Sequence, residues 1–157
     1  MRSYLAAAAA ALCFTSAPLA AQGAPRLGGQ LSFAQDVNAG LGVRLDLPLA
    51  SRGQDLRLMT AFDYFFPDAP FRYWELNGDL AWGLHLADTR LSLYLGGGLN
   101  IARSSLQGIP GSGNTDLGAN LLVGLRIPTA SRVTPYVELR PEFGGGNRLV
   151  LSTGVLF

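Results

Sequence analysis

The sequence predicts an all-β chain: an eight-stranded antiparallel up-and-down transmembrane β-barrel with a polar lumen and a lipid-facing apolar exterior. Three observations predict it. Apolar and polar residues alternate over segments of about ten residues, the period of a strand with two unlike faces. Charged residues make up only 15% of the 157, and none is lysine, whereas a soluble domain carries about 25% and commonly uses lysine to blunt sheet edges. The polar face of the alternation mixes charges of both signs with glycines, which suits a cramped interior better than a solvated face.

The N-terminal segment, residues 1–21, reads as a cleaved Sec-type signal peptide. Arg2 supplies the positive charge, Leu5 to Phe14 is a short apolar run, small residues follow, and Ala21 before Gln22 is the expected cleavage point. The run is too short for a lasting membrane helix. Cys13, the only cysteine, lies inside it, and Ala10 stands where a lipidation box carries leucine. The barrel domain, residues 22–157, therefore has no cysteine and must hold together without a disulfide.

Strands are expected near 27–36, 39–48, 55–66, 72–87, 90–102, 117–128, 132–143 and 147–157. The clearest alternation runs from Trp74 to Leu86: Trp74, Leu76, Leu80, Trp82 and Leu84 fall on one face, and Glu75, Asn77, Asp79 and His85 on the other. Its length suffices for a tilted crossing of about 9–11 residues. Leu41, Val43, Phe62, Leu99, Leu121, Leu139 and Leu151 belong to the outward sets of other strands. Turns at Ala50–Gln54, Ala87–Thr89 and Thr129–Ser131 fall on the periplasmic side. The opposite side receives Asp36–Ala39, Pro67–Phe71, Arg103–Asp116 and Gly144–Asn147, of which the third is the longest and the first place to look for outward contact.

Symmetric registers about the periplasmic turns set Asp46 opposite Arg57 and Gly42 opposite Ala61. They also set Gly83 opposite Tyr94, Asn77 opposite Asn100, Gly124 opposite Tyr136 and Asn120 opposite Arg140. Opposite charges across a strand pair are stabilising, and a ring over a facing glycine is a known cross-strand device. Tyr64, Phe65, Phe66, Phe71, Tyr73 and Trp74 gather around the second outer loop, where an aromatic girdle would sit. Alternation turns Phe65 and Tyr73 inward, and Trp82 lies deeper.

The inward charges form the candidate site, a lumen cluster of Arg44, Asp46, Arg57, Asp63, Asp79, Arg126, Glu138 and Arg140, with Glu75 and Glu142 on the same face. Buried charge must be paired, and eight strands leave little free bore, so the cluster reads as a salt-bridged plug. A small conducting pore is the alternative. A second alternative is a soluble periplasmic or secreted barrel that turns Trp74, Trp82 and the leucines inward around a small apolar ligand.

No residue pattern calls for catalysis, a cofactor or a metal. His85 is the lone histidine, without a ligand cluster. Gly96–Gly98 and Gly144–Gly146 lack the phosphate-loop pattern. The net charge of +1 offers no basic surface for nucleic acid.

The last strand, with Leu149, Leu151, Val155 and Phe157 on one face, resembles the assembly signal read by the outer-membrane insertion machinery. The whole of residues 22–157 is similar to the small OmpA/OmpX-type eight-stranded barrels in strand number, orientation and loop layout. That resemblance implies the outer membrane of a diderm bacterium as location, its lipid and the insertion machinery as partners, and a structural or surface-interaction role, with any extracellular partner unspecified. It carries no functional residue across. The short outer loops depart from relatives with adhesive roles. An outer-membrane lipid A deacylase would need a His-x-Ser pair, and His85 is followed by Leu86 and Ala87.

Overall fold

The computed structural model describes residues 24–49, 54–68, 70–85, 89, 91–144 and 147–157. The expected signal peptide with Cys13, most of the two turns at 50–54 and 87–89, Gly145 and Gly146 lie outside them, as does the side chain of His85. Eight strands follow one another: β1 (Arg26–Ala34), β2 (Asn38–Leu49), β3 (Asp55–Phe65), β4 (Phe71–His85), β5 (Ser92–Leu106), β6 (Asn114–Arg126), β7 (Thr134–Phe143) and β8 (Arg148–Leu156). Each pairs antiparallel with its neighbours in sequence, and β8 closes on β1 from Gly28↔Leu156 to Ala34↔Val150. Phe157 extends the seam by donating its backbone N–H to the Leu27 carbonyl at 2.8 Å. Closure pairs the edges that an open sheet would leave bare, which a membrane-spanning sheet requires.

The faces are segregated as expected. Ser32, Asp46, Asp63, Glu75, Asn77 and Arg140 are at most 1% exposed and point inward, while Leu99 is 70% and Leu117 74% exposed on the outer face. Trp82 is 47% exposed, so a soluble barrel with its tryptophans turned inward does not describe this chain. The indole N–H of Trp82 reaches Gln54 Oε1 at 3.5 Å. Trp82 therefore sits toward the barrel end that carries the 50–54 turn, opposite the end where the outer-loop aromatics gather. Toward that outer end Phe62 and Trp74 lie 5.9 Å apart and Tyr64 and Phe66 5.5 Å apart.

Three expectations are corrected. The first turn pairs Asp46 with Met59 and Gly42 with Asp63, two residues from the symmetric register. The third pairs Gly124 with Glu138 and Asn120 with Glu142, again a two-residue slip. A slip of two keeps every side chain on its face, so alternation cannot detect it. The long outer loop is also shorter than 103–116. Ala102, Arg103 and Ser104 still pair with Asp116, Thr115 and Asn114, and only 107–113 connects the strands. Polar side chains there interrupt the hydrophobic pattern, but ladder hydrogen bonds above the apolar band do not depend on it. The second turn keeps the expected register, with Gly83 opposite Tyr94 and Asn77 opposite Asn100.

Candidate functional site: the charged lumen

The lumen side chains form two linked ion networks. Near the periplasmic end, Asp46 accepts from Arg57 Nη1 at 3.0 Å and from Arg126 Nη2 at 2.8 Å, and Arg57 Nε also donates to Asp55 at 2.8 Å. Arg57 thus reaches Asp46 although the register sets it opposite Pro48. Above, Arg44 donates to Glu138 at 2.8 Å across the barrel, from β2 to β7. Arg140 stands among Glu142, Asp63 and Glu138 at 3.0, 3.5 and 3.6 Å, and Arg148 approaches Glu142 at 3.7 Å. Seven of the eight expected lumen residues are joined by these pairs. Asp79 is buried too, at 4% exposure, yet forms no ion pair among the described residues.

Neutral groups connect the charges. Asp63 Oδ1 accepts from Gln30 Nε2 and from the Ser32 hydroxyl, each at 2.7 Å, and Tyr136 donates to Gln30 Oε1 at 2.6 Å. Asn100 donates to Glu75 at 2.9 Å. Met59 Sδ lies 2.8 Å from Arg44 Nη2 and 3.3 Å from Arg126 Nη2. The guanidinium of Arg44 packs over the Tyr136 ring at 4.6 Å, and that of Arg126 over Tyr94 at 4.4 Å. Such stacking holds desolvated arginines that have more donors than carboxylates to fill. Met59 and Gln30 were not legible as site residues. Their inward parity was the only available signal, and an apolar or amide side chain gives no cue to its partner.

Tyr94 shows how glycine serves this interior. Its hydroxyl donates to Glu138 at 2.9 Å while its ring covers Gly124, directly opposite on β6. A Cβ on Gly124 would fall within that ring. The ring-over-glycine device therefore exists, built with the β5–β6 pair instead of the pairings expected at the turns. Gly124→Ala should lower stability by about 1–3 kcal/mol, the usual cost of overpacking. The midpoint of urea unfolding in lipid vesicles measures it, and an unchanged midpoint would refute the close packing.

An apolar cluster lies beside the outer end of the networks. Ala34, Val37, Phe65, Tyr73, Ala102 and Val150 cluster there, and the rings of Phe65 and Tyr73 lie 5.5 Å apart. Above this cluster opens a vestibule of about 620 Å³, bordered by Asp36, Asn38, Asp68, Arg72, Tyr73 and Arg148. Arg148 packs over the Tyr73 ring at 4.5 Å. This recess lies between the β1–β2 and β3–β4 connections, and a second, smaller groove runs beside the 107–113 loop.

Among the described residues no group of His, Cys, Asp or Glu is placed to hold a metal. The chemistry of the lumen is charge compensation: rows of arginine and carboxylate held against one another in the interior. No protein-family model matches the chain, and no curated protein matches it. Solved structures do resemble it. Neisserial surface protein A aligns with a TM-score of 0.62 at 17% identity, over 84% of this chain and 94% of that one. The N-terminal β-barrel domain of Pseudomonas aeruginosa OprF aligns with a TM-score of 0.67 at 13% identity, over 84% and 96%. At such identities the likeness establishes the fold, and the fold is that of the small eight-stranded outer-membrane barrels.

Proposed function

We propose that this chain is a bacterial outer-membrane barrel with a structural or surface-interaction role and a lumen closed to steady ion flow. The observation that carries the reading is the filling of the bore: paired charges occupy it from Asp46 to Glu142, with the Phe65–Tyr73–Val150 cluster beside their outer end. An ion crossing that path must displace Arg140 from three carboxylates. Breaking those pairs is costly in a buried interior. No enzymatic role is assigned, and no cofactor is required. Contact with soluble partners falls to the outer vestibule.

Export is assigned to residues 1–21 as a Sec signal. Assembly is assigned to β8, where Phe157 presents its ring outward at 62% exposure beside the closing seam. Planar-bilayer recording tests the closed lumen. The expected trace has no reproducible openings. Openings that change amplitude in Arg140→Gln or Glu138→Gln would replace this reading with the conducting pore. Membrane residence is tested separately: the protein should stay with the outer membrane through alkaline extraction and migrate differently before and after heating in detergent. Recovery as a soluble periplasmic monomer would refute it.

A further inference from the structure

Arg72 and Arg103 are unlike the arginines of the lumen. Arg72 precedes inward Tyr73 and Arg103 follows inward Ala102, so strand alternation sends both away from the bore, and both are exposed. The β4–β5 register makes them neighbours, with Arg72 opposite Ser105 and Arg103 opposite Trp74. Arg44, Arg57, Arg126, Arg140 and Arg148 each lie within 4 Å of a carboxylate, whereas neither Arg72 nor Arg103 forms an ion pair among the described residues. Arg103 has only a 3.4 Å contact with the Thr115 hydroxyl.

Both arginines border a groove of about 320 Å³ completed by Ser105, Leu106 and the 108–113 turn, with no carboxylate along it. Arg72 also borders the vestibule, whose wall includes Asp68 and Asp116, but neither pairs with it. Height matters as much as charge. Along β4 and β5 the outward row passes from Leu76, Leu99 and Ile101 to Trp74 and Arg103, and then to Arg72 and Ser105 near the strand ends. In the bilayer placement proposed above, the groove falls where the apolar band gives way to the aromatic girdle, the level of lipid headgroups.

We propose that Arg72 and Arg103, helped by the Ser105 hydroxyl, bind the phosphate group of an anionic lipid in the outer leaflet. The lipid's chains would lie along the leucines below. Guanidinium groups donate two parallel hydrogen bonds to phosphate, and basic side chains at a membrane surface attract anionic headgroups. Acyl chains anchored on the same molecule would add what a free anion lacks. The proposal rests on the bilayer placement proposed above, and the test separates the two.

The full chain carrying Trp82→Phe, which leaves Trp74 as the sole tryptophan, is folded into phosphatidylcholine vesicles. The vesicles contain a minor fraction of either brominated phosphatidic acid or brominated phosphatidylcholine. Folding is checked by heat-modifiable migration. Both lipids should quench Trp74, and phosphatidic acid should do so several-fold more strongly at equal content. In R72Q/R103Q on the same background that preference should vanish while phosphatidylcholine quenching persists. No quenching by either lipid would refute the bilayer placement, and the site with it. Equal quenching in the arginine-bearing chain, or an undiminished preference in R72Q/R103Q, would refute the site alone. Loss of the preference on adding inorganic phosphate at constant ionic strength would mark a free-anion site and overturn the lipid assignment.

Discussion

Arg140→Ala should cost about 3–5 kcal/mol of folding stability, the range for stripping a buried charge network of one partner. Arg140 is 1% exposed and lies within 3.6 Å of Glu138, Asp63 and Glu142. Its loss does not fall equally on the three. Glu138 keeps Arg44 at 2.8 Å and the Tyr94 hydroxyl at 2.9 Å. Glu142 keeps Arg148 at 3.7 Å. Asp63 keeps the Gln30 and Ser32 hydrogen bonds but no cation.

Neutralising Asp63 should therefore recover part of the loss. In a cycle of Arg140→Ala with Asp63→Asn, the coupling should be about 1–3 kcal/mol, as for residues sharing one network. Urea unfolding in lipid vesicles, followed by the heat-modifiable band, gives all four midpoints. Arg132→Ala, an exposed arginine between β6 and β7, is the control and should stay within about 0.5 kcal/mol. An Arg140→Ala midpoint shift as small as that of Arg132→Ala would show that the network contributes nothing to holding the barrel closed.

This network also marks how far the sequence could be read. That Arg44, Asp46, Arg140 and Glu142 turn inward follows from period two alone, and the closed barrel follows from eight such segments joined by short turns. Which charge meets which does not follow. Arg44 on β2 and Glu138 on β7 meet across the bore, and such a contact depends on the stagger of every intervening strand pair. Stagger is set at the turns, where a two-residue slip leaves the alternation untouched. The slips at the first and third turns moved Asp46 from Arg57 to Met59 and Gly124 from Tyr136 to Glu138. Arg57 still finds Asp46 because its long side chain spans the diagonal. Gly124 still carries a tyrosine ring because Tyr94 faces it from the other neighbouring strand. Redundancy of this kind makes a lumen tolerant of register while hiding the register from the reader. Asp79 is the converse: its parity was legible, but a short side chain beside Gly98 reaches no cation.

The outer face gives the remaining large effect. Leu99 is 70% exposed near the middle of β5, with Gly78 and Ala119 opposite it on the flanking strands. Leu99→Arg should destabilise the folded barrel in vesicles by about 2–4 kcal/mol, the cost of an arginine near the bilayer midplane on a barrel surface. The same substitution on a water-facing strand would change stability by no more than about 0.5 kcal/mol, so the sign of the environment is read directly. Depth supplies the second dimension. At Leu117, which is 74% exposed and sits beside Ile101 toward the outer rim, arginine should cost only about 0–1 kcal/mol, because it can reach the headgroups. Equal costs at Leu99 and Leu117 would argue against a depth-dependent lipid environment and for simple loss of packing. A graded cost, large at Leu99 and small at Leu117, follows only if the apolar face meets hydrocarbon whose polarity rises toward Arg103 and the aromatic girdle. The inward charges and the outward leucines then answer to one constraint: each face is matched to a medium that the other could not enter.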